Sequence, residues 1–342
     1  YGNKGVGKFP EKNKPISLDS DIDTKGELLN FKETNELLEA LLLSVYTPTK
    51  YIKEESKKKY IEKYSLKGKH GGDMSFDVQS RGMIVLHRFN LFKRLESSVF
   101  SFEETLRRLL ERIERTEQLL LKGSGEVDQE DADFDDSGDD GVYIEGKYEI
   151  DVRDLRIDDY LEDLASDKYI IAEIHKNARK ILEEERDRKL IDLKEIIRKK
   201  VEETPYNSGN KKVLVFSAFA DTVEYLYKNL AGEMLQYGVY TASVTGKGVK
   251  TNNDNIDADF NSVLCAFSPM SKTKKETPAE KQVDLLIGTD CISEGQNLQD
   301  CDTVINFDIQ WNPVSLIQRF GRVDRIGSQN THIQMINFFP NM

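Results

Sequence analysis

After Thr204, short uninterrupted apolar runs alternate with helical stretches, and no other feature restricts the possible folds of this chain so strongly. Val213 to Ser217, Ala242 to Thr245, Asp284 to Thr289, Thr303 to Asp308 and His332 to Phe339 each read as a strand. Amphipathic stretches from about Ala220 to Leu230 and from Ala258 to Phe267 read as the helices between them. A strand that is apolar along its length must be covered on both faces, and intervening helices supply that cover. The pattern therefore predicts an α/β fold with a parallel sheet flanked by helices. Ligands of such sheets bind at the carboxyl ends of the strands.

The chain upstream is of a different kind. The first 35 or so residues carry Gly2, Gly5, Gly7, Pro10 and Pro15 with little periodicity and read as a connecting segment. Leu37, Leu38, Leu41 and Leu42 fall at helical spacing before Pro48, and the Lys-rich stretch from Lys53 to Lys63 reads as a solvated helix. From Gln79 to Leu121, and again from Tyr160 to Val201, apolar residues recur at steps of three and four. These two long helical patterns should pack as a hairpin or bundle. Pro205, Asn207, Ser208, Gly209 and Asn210 then form a turn-rich linker. The expected domains are a connection over 1–74, a helical region over 75–204 and the α/β unit over 205–342. A length of 342 residues suits about two cores.

Net charge is −12, and nine of the acidic residues, from Glu126 to Asp140, lie between Gly123 and Gly141; without them the net charge is −3. A run that repels itself and contains Gly and Ser reads as a disordered surface loop over about 123–141. A nucleic-acid mimic is the sharper alternative. Cys265, Cys291 and Cys301 have no C-x-x-C spacing, and His70, His87, His175 and His332 are scattered, so no metal site and no disulfide framework is expected. No apolar run approaches the roughly 20 residues that span a bilayer, and no signal pattern is present, so no membrane partner and a cytoplasmic location are expected. The chain starts at Tyr1 without an initiator Met, which reads as a piece of something longer.

Phosphate loops are the first chemistry to look for in such a sheet. The string from Gly2 to Phe9 approaches G-x-x-x-x-G-K-[ST], but Phe9 replaces the hydroxyl and no strand precedes it. The pairs Gly68–Lys69, Gly146–Lys147 and Gly246–Lys247 also lack the following Ser or Thr, and the chain holds no Asp-Glu dipeptide. By itself it is expected not to hydrolyse ATP. The string from Gln318 to Gly327 is more informative. Arg322 and Arg325, three residues apart, would share one face of a helical turn. Guanidinium groups so placed suit the spread charge of a transferring phosphoryl group. The bland alternative is a surface salt-bridge helix.

Context decides between them. The string Gln318 to Gly327 resembles motif VI of superfamily two helicases, Q-R-x-G-R-x-x-R-x-G. Thr289 to Leu298 resembles motif V, and Asp308 to Pro313 is similar to the D-x-x-W-N-P block of Swi/Snf-type ATPases. Val213 to Thr222 resembles the first strand of their second lobe. The Ser293-Glu294-Gly295 and Asp324 to Gly327 details look most like the bacterial RapA-like branch. The resemblance covers Lys211 to Asn330 and implies a second RecA-like lobe of an ATP-dependent DNA translocase. Arg322 and Arg325 would reach ATP held with Mg²⁺ by an N-terminal RecA-like lobe, and Gln318 and Arg319 would organise the motif. Gly295, Asn297 and Glu294 would approach the nucleotide. Double-stranded DNA would be held by Ser217, Thr245, Gly246, Lys247 and Thr289, hydroxyls and amides at strand ends that grip phosphates without reading sequence. Trp311 would be a packing residue, and Asn312 would cap the helix that presents motif VI, with Pro313 in its first turn. The helical region would be the protrusion and linker of this family, where Arg81, Arg88, Lys93 and Arg94 could touch DNA or a solvated face could meet a protein partner. A strand-separating helicase, a restriction-type motor subunit and a non-enzymatic scaffold with a degenerate lobe are the rival readings.

Overall fold

In a computed structural model, which describes residues 8–63, 76–123, 126–129, 148–273, 277–292, 295–309 and 312–341, the apolar runs become the centre of one sheet. The amino-terminal half supplies β1 (Glu11–Lys12), β2 (Ile16–Ser20), α1 (Phe31–Ala40), α2 (Glu54–Lys63), α3 (Phe76–Ser97), α4 (Val99–Lys122), β3 (Glu126–Gln129), β4 (Tyr148–Asp151) and α5 (Ile157–Glu183). The rest supplies α6 (Arg188–Glu203), β5 (Val213–Phe216), α7 (Ala220–Leu235), β6 (Thr241–Thr245), β7 (Gly248–Thr251), α8 (Phe260–Phe267), α9 (Pro269–Thr273), β8 (Leu285–Gly288), β9 (Thr303–Asn306), α10 (Pro313–Phe320) and β10 (His332–Pro340).

The sheet runs β1-β10-β9-β5-β8-β6-β7, and β2 also pairs with β10. Every pairing in it is parallel except the β6–β7 hairpin. Alternate residues of the central strands point to opposite faces, as strand geometry requires. Val213, Val215, Leu285, Ile287 and Ile305 pack with α6 and α7, whereas Leu214, Phe216, Leu286 and Val304 pack with Val263, Leu264 and Phe267 of α8. Burial on both faces is what the unbroken apolar runs demanded.

The helical patterns form α3 to α6, with two breaks that the periodicity did not show. Ser98 interrupts the first and caps α4 by accepting from the Ser101 N–H at 3.0 Å. The second breaks between Glu184 and Asp187, where Glu185 has φ +54°. Arg186 there makes a buried ion pair with Asp23, 2.6 Å from Nη2 to Oδ2. The α4 and α5 helices pack together through Leu106, Leu109, Ile113, Leu164, Ile171 and Ile174.

The expected boundaries shift in two places. Leu190, Leu193, Ile197 and Val201 of α6 belong to the sheet's core, so the α/β unit begins near residue 188 and not 205. The segment expected to be a connection places β1 and β2 on β10, and its Ile22 to Tyr60 stretch lies in the helical core. Part of the expected disordered loop is a strand, because Glu126–Gln129 pairs antiparallel with Tyr148–Asp151. The remaining acidic residues, Glu130 to Asp140, lie outside the described residues, as do Trp311 and the Gly2 to Gly7 part of the phosphate-loop lookalike. Among the described residues no helix is long and apolar enough to cross a membrane, and no three His, Cys, Asp or Glu stand together to hold a metal ion.

Candidate functional site

The strand β8 ends at Gly288, where its neighbours leave little room for a side chain. A Cβ on Gly288 would lie 2.6 Å from Ile292 Cδ1 and 3.0 Å from the Val244 carbonyl. The chain then turns through Gly295, whose φ of +66° is the left-handed conformation glycine tolerates best. Leu298 N–H donates to the Arg322 carbonyl at 3.0 Å, so the segment resembling motif V is stitched directly to the one resembling motif VI.

Asn312 opens α10 by accepting the Val314 N–H at 3.0 Å, with Pro313 at the first helical position. The helix stops at Gly321, whose N–H bonds the Ile317 carbonyl at 2.8 Å. Arg322 and Arg325 therefore do not share a helical face as the spacing suggested. They lie in the turn beyond the helix, where Arg322 N–H bonds the Arg319 carbonyl and Arg325 N–H bonds the Val323 carbonyl. The glycine between Phe320 and Arg322 ends the helix and redirects the chain.

Arg319 holds that turn from inside. Its side chain is fully buried, with Nε 2.6 Å from Asp290 Oδ1 and Nη2 2.8 Å from Oδ2, a two-pronged pairing that fits a planar guanidinium. Nη1 donates to Asn306 Oδ1 at 3.2 Å and to the Asp308 carbonyl at 3.4 Å, and the group lies 5.1 Å over the Phe216 ring. Gln318, on the same helix, is exposed.

A cleft of about 760 Å³ opens beside this turn, lined by Asn297, Gln299, Asp300, Gly321, Asp324, Arg325, Gln329, Phe9, Met270 and Ile326 among others. Its two carboxylates are engaged. Asp300 accepts from the Met270 and Ser271 N–H groups at 2.7 and 3.0 Å, and Asp324 pairs with Lys12 at 2.6 Å. Arg325 is held through Nε on the Gly321 carbonyl at 3.2 Å, and no carboxylate among the described residues lies within ion-pair distance of it. Lys272 borders the same region and donates to Gln296 Oε1. Burial lowers the pKa of its ammonium, and nearby Arg325 acts in the same direction. Lys272 sits in a polar run without motif character, so sequence reasoning had no signal for it. The lining of the cleft thus combines the apolar Phe9, Met270 and Ile326 with polar and charged groups, Arg325 among them. Asn297 and Arg325 meet there; Arg322 and Gly295 adjoin it in the chain without lining it, and Glu294 lies outside the described residues.

The residues expected to grip DNA gather at the carboxyl ends of β5, β6 and β8. Thr289 N–H donates to the Val244 carbonyl at 3.1 Å, next to Thr245, and Gly246 and Lys247 are exposed at the tip of the β6–β7 hairpin. Lys247 N–H bonds Thr245 Oγ1 at 3.2 Å. Ser217 departs from the expectation. It is fully buried, and its hydroxyl donates to Asp308 and lies 3.3 Å from Ser97 Oγ, so it faces the helical region and not a ligand. Of the four basic residues on α3 that could have touched DNA, three are engaged within the protein. Arg94 is buried against Asp221 at 3.0 Å, Arg88 donates to the Leu41 carbonyl and Lys93 pairs with Glu96, leaving Arg81 exposed.

Residues 188–327 match the helicase conserved C-terminal domain, and this stretch holds the central strands β5, β6, β8 and β9 of the sheet with the helices that flank them. Among individual proteins, the chain is 45% identical over 53 residues to the uncharacterized ATP-dependent helicase YqhH of Bacillus subtilis, covering 15% of this chain and 10% of that protein. It is 44% identical over 57 residues to the RNA polymerase-associated protein RapA of Sodalis glossinidius, covering 17% of this chain and 6% of the other. The chain thus spans a tenth or less of the length of these curated relatives. Its fold is also similar to the C-terminal part of the Fun30 ATPase domain, 13% identical with a TM-score of 0.41 over 98% of this chain and 87% of that one.

Proposed function

We propose that this chain is the carboxyl-terminal half of an ATP-driven motor of the Swi/Snf type that moves along double-stranded DNA. The observation that carries the reading is Arg325, a guanidinium without a carboxylate partner among the described residues, held by a backbone bond at the edge of a cleft. A cation with no carboxylate partner among the described residues, lining one cleft with Asn297, suits an anionic ligand, and the apolar Phe9, Met270 and Ile326 of the same lining suit a flat base. The residues present therefore suit a nucleoside triphosphate, which as substrate supplies the scissile phosphoanhydride. Arg325 and Arg322 stabilise charge on the transferring group, Asn297 orients the nucleotide, and Arg319 fixes the turn that presents both arginines. Mg²⁺ and the phosphate loop belong to an N-terminal lobe that closes on this one, so this chain alone is inactive.

Thr245, Gly246, Lys247 and Thr289 lie together on the strand-end rim and are the proposed contacts to the DNA backbone. Such contacts read no sequence, so binding weakens steeply with salt and differs little between sequences. The test is ATP hydrolysis by a two-lobed protein carrying Arg322→Ala or Arg325→Ala. Each should lose about 10³-fold or more of its DNA-stimulated turnover while duplex binding survives. Unchanged turnover in both variants would sink the assignment. ATP-dependent separation of the strands would instead favour a strand-separating helicase.

A further inference from the structure

The corner between α3 and α4 is held by several side chains of the α/β lobe. Ser97, at the end of α3, is fully buried, and its hydroxyl donates to Asp308 Oδ2 at 2.6 Å and lies 2.8 Å from Thr222 Oγ1. The carbonyls of Glu96 and Ser97 both accept from the Lys189 ammonium of α6, which sits 4.2 Å over the Phe307 ring. Ser98 Oγ is 2.9 Å from Thr222 Oγ1, and Arg94 reaches Asp221 at 3.0 Å. An α/β lobe needing only a covering helix would bury apolar side chains here. Instead the contact is polar, specific and closed to solvent, and such networks fix one arrangement at the cost of tolerating few others.

Asp308 connects this corner to the arginine turn. Its carboxylate accepts from Ser97, from Ser217 Oγ and from the Ala218 N–H at 2.7 Å, and its own carbonyl accepts from Arg319 Nη1. Arg319 in turn anchors the last turn of α10 on Asp290. Five residues after Asp308, α10 begins at Pro313, so Asp308 stands between the Ser97 corner and the helix that leads into the arginine turn. We infer that Ser97 and Asp308 are positioning residues for the arginine turn, so that the seating of the helical region on the lobe decides whether Arg322 and Arg325 are presented. A load or partner that tilts α3 and α4 would pull Ser97 from Asp308 and loosen α10. The functional meaning rests on the nucleotide reading of those arginines, but the mechanical coupling does not.

Hydrogen–deuterium exchange on this whole chain separates coupling from mere adhesion. Ser97→Ala removes one hydroxyl, and Asp308→Asn keeps the shape while removing the charge. In both, amides across 313–325 should exchange about ten-fold faster, the factor expected for losing one hydrogen bond to a charged group. The central strands β5 and β9 should stay protected. Ser98→Ala, which loses the Thr222 contact and the α4 cap but leaves the Ser97–Asp308 link in place, should leave 313–325 unchanged. Faster exchange confined to 94–101, with 313–325 at wild-type protection in both variants, would overturn the inference and leave the corner as simple adhesion. In a two-lobed protein the same variants should lower kcat with little change in nucleotide KM; if the wild type hydrolyses no ATP, the nucleotide reading fails while the exchange result still stands.

Discussion

Replacing Arg319 by alanine isolates the residue on which the whole arginine turn leans. The side chain is fully buried, and its fork spans both oxygens of Asp290, the side chain of Asn306 and the carbonyl of Asp308. Truncating one partner of a buried pair costs about 3–5 kcal/mol, because the other charge and its neighbours lose their compensation. Asp290 retains 27% side-chain exposure, so water recovers part of that loss and the lower end, about 3 kcal/mol, applies. With a urea dependence of about 3 kcal/mol/M for the lobe, the midpoint of its unfolding should fall by about 1 M. Arg319→Lys should recover less than half, since an ammonium cannot span both oxygens of Asp290. Asp290→Asn in the Arg319→Ala background should cost little more, giving a coupling of at least about 1 kcal/mol in the double-mutant cycle. A midpoint shift below about 0.2 M, or strict additivity in the cycle, would refute the claim that this pair holds the turn.

Other consequences follow from single groups. Asn312→Ala deletes the cap of α10 and should cost about 1 kcal/mol in denaturant unfolding, with Asn312→Asp nearly neutral. Gly288→Ala places a methyl against Ile292 and the Val244 carbonyl and should cost about 1–3 kcal/mol, visible as a lower Tm. Burial alone would raise the pKa of Asp23, but the Arg186 guanidinium and the N–H groups of Leu28, Lys25 and Glu27 outweigh it and hold the carboxyl below its ordinary range. Its contribution is therefore present above the unfolded carboxyl pKa of about 4 and lost as pH falls through the lower folded value, and Asp23→Asn should flatten the acid limb of a stability profile. Burial pushes the Lys189 ammonium down to about 8, against the pull of Asp308, Asp187 and Glu96. Between that value and the unfolded pKa of about 10.4 the unfolded chain binds the extra proton, so stability should rise with pH relative to Lys189→Met.

Much of the sheet could be read because burial on both faces leaves no room for polar residues in β5, β8 and β9. The edge strands β1, β2 and β7 were not readable. Glu11–Lys12 is wholly charged, Ile16–Ser20 alternates weakly, and Gly248–Thr251 is a short hairpin arm, so their pairing is decided by the neighbouring edge and not by their own pattern. The break at Ser98 carried a capping residue and could have been found. The break at Glu185 carries no Gly or Pro and follows from Arg186 reaching Asp23, more than 150 residues away in sequence. At the candidate site, the spacing of Arg322 and Arg325 suggested one shared helical face, and the structure differs because the glycine at 321 ends the helix between Arg319 and Arg322. Ser217 looked like a strand-end hydroxyl aimed at a ligand; its burial depends on Ser97, which no local pattern could connect to it. Lys272 was silent for the same reason.

The rate of ATP hydrolysis, measured for this chain alone and for the chain joined to an N-terminal lobe, each with and without duplex DNA, tests the central claim most directly. The account predicts hydrolysis only when both lobes are present, and a rate raised by duplex. Hydrolysis by this chain alone at a comparable rate, or a two-lobed protein indifferent to duplex, would contradict it.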